Sequence, residues 1–253
     1  MDEAASAAHP DLTKARRLIA QARHVAALTG AGMSAESGVP TFRDAQTGLW
    51  AQFRAEELAT EAAFRADPQR VWRWYQYRRE LIAAVEPNAG HRALAWFGKR
   101  HSGRLTLVTQ NVDGLHQRAG SGDAIALHGS ILQDRWLDQP RACCDVRNIE
   151  PGAPPRCPVC GNLRRPDVVW FGEALPTRAL AAADEAARSC DLMLVIGTSG
   201  MVYPAAGLAH VARRQGALVV VINPAETELD EMAHLCVRER AAQCLPWLLG
   251  ASH

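Results

Sequence analysis

No apolar run in the sequence is long enough to cross a bilayer. The longest, Leu192 to Ile196 and Ala217 to Ile222, fall far short of the roughly 20 residues a spanning helix needs. The opening MDEAASAAHP carries two early acids and lacks the basic segment and apolar stretch of a secretory signal. A cytoplasmic location without a membrane partner is therefore the expectation. An excess of one charge is also missing: Lys+Arg 28 against Asp+Glu 27 leaves a formal net charge of +1. The chain as a whole thus has no electrostatic drive toward nucleic acid or anionic lipid. Internal repeats and low-complexity tracts are absent, and with 48% hydrophobic and 22% charged residues the composition excludes disordered, collagen-like and coiled-coil classes. The 253 residues suffice for one or two domains with a sizeable core.

Seven cysteines make an odd number, which argues against a closed disulfide framework. Cys143, Cys144, Cys157 and Cys160 cluster, whereas Cys190, Cys236 and Cys244 are scattered. Without a secretory signal, such clustering points to metal before disulfides. The scattered three read as small buried apolar residues.

Four segments have the pattern of strands covered on both faces: His24 to Thr29, Leu105 to Thr109, Leu192 to Ile196 and Leu218 to Ile222. Each is short and continuously apolar rather than alternating. Leu12, Ala15, Leu18, Ile19 and Ala22 repeat at helical spacing before the first, and Arg178 to Arg188 is an Ala-rich helix before the third. Helices alternating with buried strands predict an α/β fold with a doubly wound, Rossmann-type parallel sheet. From Asp44 to Arg104 there is no β-branched run, but Trp50, Trp72, Trp74, Tyr75, Tyr77 and Trp96 lie on helix-compatible sequence. From Leu137 to Pro166 the chain is rich in Pro, Cys, Gly and Arg and too poor in apolar residues to form its own core. The expectation is one catalytic unit over 1–253. Its large lobe spans 11–43, 105–128 and 167–250, and its smaller lobe consists of a helical insertion, 44–104, and a Cys-containing ribbon, 129–166.

After the first strand comes GAGMSAESG (30–38), where a nucleotide-binding sheet places its phosphate loop. Glycine there permits close backbone approach to a pyrophosphate, and amide hydrogens at a following helix start would face the anion. The third glycine is displaced from the usual spacing and no acidic strand end follows. By itself this leaves a tight strand-to-helix turn as the alternative. Polar Gln110, Asn111 and Asp113 directly follow the second strand, a position where open α/β sheets bind ligands.

Six motifs occur in order: GAGMSAESGVPTFR (30–43), QNVDGLH (110–116), LHG (127–129), VVWFGE (168–173), GTS (197–199) and VINP (221–224). This ordered set resembles the sirtuin family of NAD-dependent protein-lysine deacylases, from about Ala27 to Pro246. The resemblance implies that Gly30, Ala31, Gly32, Ser34, Thr41, Phe42 and Arg43 bind NAD. Gln110, Asn111 and Asp113 would surround its nicotinamide and ribose, and Gly197, Thr198, Ser199, Asn223, Pro224 and Ala241 would line the remainder. It also implies catalytic roles for His128, Asn111 and Asp113. The acyl-lysine carbonyl oxygen would attack the ribose carbon bearing nicotinamide, and His128, as general base, would activate the ribose hydroxyl that captures the acyl group. A neutral imidazole near pH 7 suits that task. His116 has no such role and reads as structural.

Tyr75 and Arg78 are three residues apart, so on a helix they share a face. A phenol with a guanidinium suits a carboxylate, although an aromatic stripe with Arg at its rim is the plainer alternative. The segment resembles the class III sirtuin branch, whose Tyr-x-x-Arg pair recognises succinyl-, malonyl- or glutaryl-lysine. Small Ala59 in LAT (58–60) would leave room for a longer acyl chain. By the same resemblance Val169, Phe171 and Glu173 border the groove for the acyl-lysine protein, and strand addition there would explain loose sequence preference.

Sirtuins typically hold one structural zinc on two Cys-x-x-Cys pairs. Cys157 and Cys160 match the second pair, but Cys143 and Cys144 are adjacent where the first is expected. Asp138, Asp145 or water can complete such a shell; a ribbon held by packing or a disulfide is the alternative. Three other functions compete: a dehydrogenase on the same sheet, protein ADP-ribosylation, and a zinc ribbon whose Arg141, Arg147, Arg156, Arg164 and Arg165 contact nucleic acid. For the last, near-neutral charge and missing interleaved aromatics predict weak or no binding. A monomer is the expectation for oligomeric state.

Overall fold

The computed structural model describes residues 10–40 and 54–251. Its strands are β1 (Val25–Thr29), β2 (Leu105–Thr109), β3 (Ile125–Ala126), β4 (Gly129–Trp136), β5 (Arg164–Val168), β6 (Leu192–Ile196), β7 (Leu218–Ile222) and β8 (Leu235–Val237). Six form a parallel sheet in the order β3-β2-β1-β6-β7-β8. Numbered within the sheet, this is the 3-2-1-4-5-6 order of dinucleotide-binding folds, whose ligand crevice opens where the winding reverses, here between β1 and β6. All four strands expected from the sequence are present. Of the six strands in this sheet, the two not expected, β3 and β8, have two and three residues, too few to show a pattern.

The unbroken apolar runs follow from burial on both faces. Among helices of eight or more residues, α1 (Pro10–Gln21), α2 (Pro68–Ala83), α3 (Ala89–Arg100), α4 (Thr177–Ser189), α5 (Gly207–Arg214) and α6 (Ala241–Leu248), five cover the sheet. Val25, Ala27, Leu194, Ile196, Val220 and Ile222 point into one core with Leu12 and Ile19 of α1, Leu94 and Phe97 of α3, and Leu245 of α6. Ala26, Leu28, Met193, Val195, Val219 and Val221 point into the other, against Ala183 and Ala187 of α4 and Leu208 and Ala212 of α5. Successive residues thus alternate between two dry interfaces, and each large aliphatic chain contributes about 1.5–3 kcal/mol by burial.

A third core lies off the sheet, where Phe64, Val71, Trp74, Tyr75 and Ile82 pack with Ile131, Val168 and Trp170 of the antiparallel β4–β5 pair and its flank. The 44–104 span therefore divides. Its α2 builds this core, but α3 joins the sheet, because the apolar stripe Ala93, Leu94 and Phe97 fits against β2 and α6. Asn88 starts α3, its side chain accepting from the Gly90 and His91 amides while His91 Nδ1 accepts the Asn88 N–H. This reciprocal cap satisfies orphan donors at the helix start.

Candidate active site

The loops leaving β1, β2, β3 and β6 bring the sequence-predicted residues together at the carboxyl edge. Gly30 N donates to Ile196 O at 2.9 Å and Gly32 N to Gly197 O at 2.8 Å. A Cβ on Gly32 would sit 2.9 Å from Gly197 Cα, and one on Gly30 2.6 Å from Thr198 Cβ. Both glycines are thus required by the contact between two loops. The amides of Gly30, Gly32, Met33 and Ser34 are donated within the chain. The helical turn that follows, Gly32–Ala35, is only four residues long. Thr41, Phe42 and Arg43 lie outside the described residues.

Gln110 N donates to Thr29 O, extending the β1–β2 ladder by one bond, and Gln110 Nε2 reaches Thr198 Oγ1 at 3.2 Å. Both side-chain amide hydrogens of Asn111 are committed, to Gly30 O at 3.0 Å and Ser34 Oγ at 3.1 Å, which leaves its side-chain oxygen to accept. Asp113 is buried and accepts from Leu115 N at 2.9 Å; burial raises its pKa against the opposing Leu115 and Ser34 hydrogen bonds. Ser199 and Asn223 are half-buried and Pro224 exposed after β6 and β7. Ala241, buried at the start of α6, touches the α3 start at Gly90, while Glu36 Oε2 accepts the neighbouring Ala242 N–H at 2.8 Å.

His128 follows β3, and its Nδ1 lies 2.9 Å from Gln110 O. A carbonyl only accepts, so Nδ1 carries the hydrogen and Nε2 the lone pair. Burial lowers its pKa, partly offset by this bond, so the ring is neutral near pH 7. The strand ends also carry a buried polar layer around His116, whose partners the sequence did not single out: Thr29 Oγ1 bonds Thr109 Oγ1 and His116 Nε2, both at 2.9 Å. His91 Nε2 lies 3.4 Å from Ser34 Oγ, and Asn88 Nδ2 donates to Met33 O and Ser37 Oγ. The short polar ends of the strands and the Asn88 cap were the available signals.

Tyr75 is fully buried, and its hydroxyl accepts Trp170 Nε1–H at 2.9 Å. Arg78, one turn along α2, is half-buried, with its guanidinium 5.0 Å from the Trp74 ring centre. Ala59 O accepts from Phe171 N and His128 O from Val169 N, both at 2.9 Å. Trp170 N, Arg135 and buried Arg165 all bond the Glu173 carboxylate, which anchors it to the loop.

The four clustered cysteine sulfurs all lie within 4.8 Å of one another, with Cys144 and Cys160 3.6 Å apart. Zn–S bonds of about 2.3 Å in a tetrahedron place sulfurs about 3.8 Å apart, so the four thiols fit a structural zinc. A turn, with Cys144 N on Arg141 O and Asp145 N on Cys143 O, lets both adjacent cysteines converge. Asp138 pairs with Arg65 and Asp145 with Arg147, so neither is needed in the shell. All seven cysteines are unpaired in the structure. Of the ribbon arginines, Arg147, Arg156 and Arg165 are in ion pairs, Arg164 stacks on Trp136 and Arg141 is exposed.

A 3-2-1-4-5-6 sheet with glycine turns at its switch point, and strand-end amides and one oriented imidazole along its carboxyl edge, has the architecture of a dinucleotide-using α/β protein. The model of the Sir2 family matches residues 30–204, and the chain belongs to that family. It is 56% identical over 239 residues to an NAD-dependent protein deacylase of Ralstonia nicotianae, covering 94% of this chain and 95% of that one. A solved Sir2 homologue–NAD complex superposes with a TM-score of 0.83 at 40% identity, covering 94% and 93% of the two chains. A Sir2–p53 peptide–NAD+ structure does so at 0.81 and 31%, covering 95% and 98%. No described helix is long and apolar enough to cross a membrane.

Proposed function

We propose that this protein is an NAD-dependent protein-lysine deacylase that favours acidic acyl groups, succinyl and malonyl above all, over acetyl. NAD, when bound, supplies the ribose carbon from which nicotinamide departs. The chain's own residues do the rest. His128 Nε2, unprotonated because Nδ1 is held by Gln110 O, takes a proton from a sugar hydroxyl. The Asn111 carbonyl oxygen and the Asp113 carboxylate orient hydroxyl and amide hydrogens beside it, with Gln110 tying them to the Thr198 loop.

The preference for acidic acyls rests on one observation: a fully buried phenol and a half-buried guanidinium lie a helical turn apart on α2, each within the other's electrostatic reach. Two adjacent donors in a low-dielectric recess suit a carboxylate and leave an acetyl methyl unrewarded. Ala59 at the same rim contributes only a methyl group, leaving space for the longer chain. Charge-assisted bonds of this kind are worth about 1.5–3 kcal/mol, or roughly ten- to a hundredfold in selectivity.

The test is mass-spectrometric turnover of matched acetyl-, succinyl-, malonyl- and glutaryl-lysine peptides with and without NAD. Acidic peptides should lose their acyl group fastest, with free nicotinamide released. R78M should cost succinyl turnover roughly ten- to a hundredfold and acetyl turnover far less. Equal losses on both peptides refute the acyl preference, and intact peptides with intact NAD refute the activity.

A further inference from the structure

Trp170 lies outside the set of side chains assigned to acyl recognition, yet its indole nitrogen is the partner of the phenol on which that recognition depends. The Trp170 Nε1–H to Tyr75 hydroxyl bond is 2.9 Å long and fully buried. An indole N–H only donates, whereas a phenol has one hydrogen and acceptor lone pairs. The bond therefore uses a lone pair of the Tyr75 oxygen and leaves the phenol's own hydrogen for an acceptor elsewhere. The guanidinium of Arg78, within electrostatic reach of both Tyr75 and Asp113, also only donates, so a carboxylate oxygen presented to both groups would accept from each.

Trp170 is itself held so that its N–H has one direction. Its ring is 1% exposed, the Arg165 guanidinium carbon lies 3.2 Å from the ring centre, and Phe64 packs on it at 5.2 Å. Its backbone N–H is fixed to Glu173 Oε2 at 2.8 Å, and both Arg165 and Arg135 bind that carboxylate. The ribbon strand β5, which supplies Arg165, thereby braces the acyl pocket through one aromatic side chain.

We propose that Trp170 is a positioning residue for acyl selectivity: its N–H presets the Tyr75 hydroxyl as a donor toward the carboxylate of an acidic acyl group. This rests on the acidic-acyl reading above. A tryptophan that merely fills the core would contribute equally whatever acyl group is bound.

The experiment compares KM and kcat on succinyl- and acetyl-lysine peptides for the wild type, W170F, Y75F and W170F/Y75F, with melting temperature followed for each. Benzothienylalanine in place of Trp170, which keeps the ring shape and replaces the N–H by sulfur, provides a second variant in case phenylalanine packs poorly. The succinyl-to-acetyl selectivity of both Trp170 variants should fall roughly three- to tenfold, the range for one lost neutral hydrogen bond, and the loss should reside in KM for the succinyl peptide. On the Y75F background the Trp170 substitution should cost no further selectivity. Losses shared equally by both peptides, or selectivity losses that multiply in the double variant, overturn the assignment to Trp170. A wild type without succinyl preference instead overturns the acidic-acyl reading.

Discussion

Gly32 and Gly197 meet backbone to backbone: Gly32 N donates to Gly197 O at 2.8 Å, and a Cβ on Gly197 would fall 2.4 Å from Met33 N and 2.6 Å from Gly32 C. Gly197 also has φ +60, a region costly to residues with a side chain. The loops after β1 and β6 are thus locked into one unit at the sheet's switch point. G197A should cost more than the about 1–2 kcal/mol of the left-handed conformation alone, because backbone on the facing loop has to move. Gly216 supplies the control, since its φ is +91 but a Cβ there would meet nothing within 4 Å; G216A should cost only the conformational part. Denaturant unfolding of the two variants measures the difference, and equal costs would remove the loop contact as the reason for glycine.

The hydrogen bond to Gln110 O and the burial of His128 oppose each other in setting its pKa, and burial is the larger. If the neutral ring is the base, kcat/KM rises with pH through a midpoint below the ordinary histidine value of 6.5. H128N should abolish turnover while leaving NAD binding within a few-fold, because the side chain bonds one carbonyl and carries no core contact of the loop pair. A pH–rate profile with its acid limb above 6.5 would contradict the base assignment.

The long strands were legible because burial on two faces writes itself into sequence as unbroken aliphatic runs, as in Leu192 to Ile196. The strand-end residues Gln110, Asn111 and Asp113 were legible for a related reason, since polarity straight after such a run marks an open edge. What remained hidden depends on contacts between distant segments. Trp170 and Tyr75 are 95 positions apart, and nothing local marks either as the other's partner. The glycines at 30 and 32 read as a phosphate turn from spacing, but the facing loop that excludes a side chain arrives more than 160 residues later. The adjacent Cys143 and Cys144 depart from paired spacing, and only the turn at Arg141 to Asp145 shows how both sulfurs face Cys157 and Cys160.

That sulfur cluster substitutes for a hydrophobic core in the ribbon, where Val146 and Val159 are exposed and Leu137 and Leu163 merely border the Trp170 core. Elemental analysis of protein purified without added metal should give about one zinc per chain, the stoichiometry of a single four-sulfur shell. C144S should lower zinc content and loosen 137–163, seen as faster amide exchange there, while the sheet keeps its protection. Zinc content unchanged in C144S would show that the adjacent pair does not ligate jointly.

His91 and His116 stack edge to face beneath the cofactor loops, ring centres 4.8 Å apart, and both are buried. Burial pushes His116 down to about 4, and burial together with the His116 and Arg92 neighbours pushes His91 down to about 3. In the unfolded chain both return to about 6.5. Between that value and the folded ones the unfolded state binds more protons, so the stabilisation from keeping each ring neutral is complete above about pH 6.5. It is lost as pH falls toward 4 for His116 and toward 3 for His91. Each histidine contributes a slope of about 1.4 kcal/mol per pH unit in that window. Asp113, whose pKa is raised by burial, works in the opposite sense above its ordinary 3.8 and cannot supply this loss. Urea unfolding across the acid range should therefore show a steep decline that H116N reduces by about one proton's worth. Acid release of metal from the sulfur cluster is common to both proteins and cancels in the comparison. An H116N slope equal to the parent's would mean that this imidazole is already solvated in the folded state.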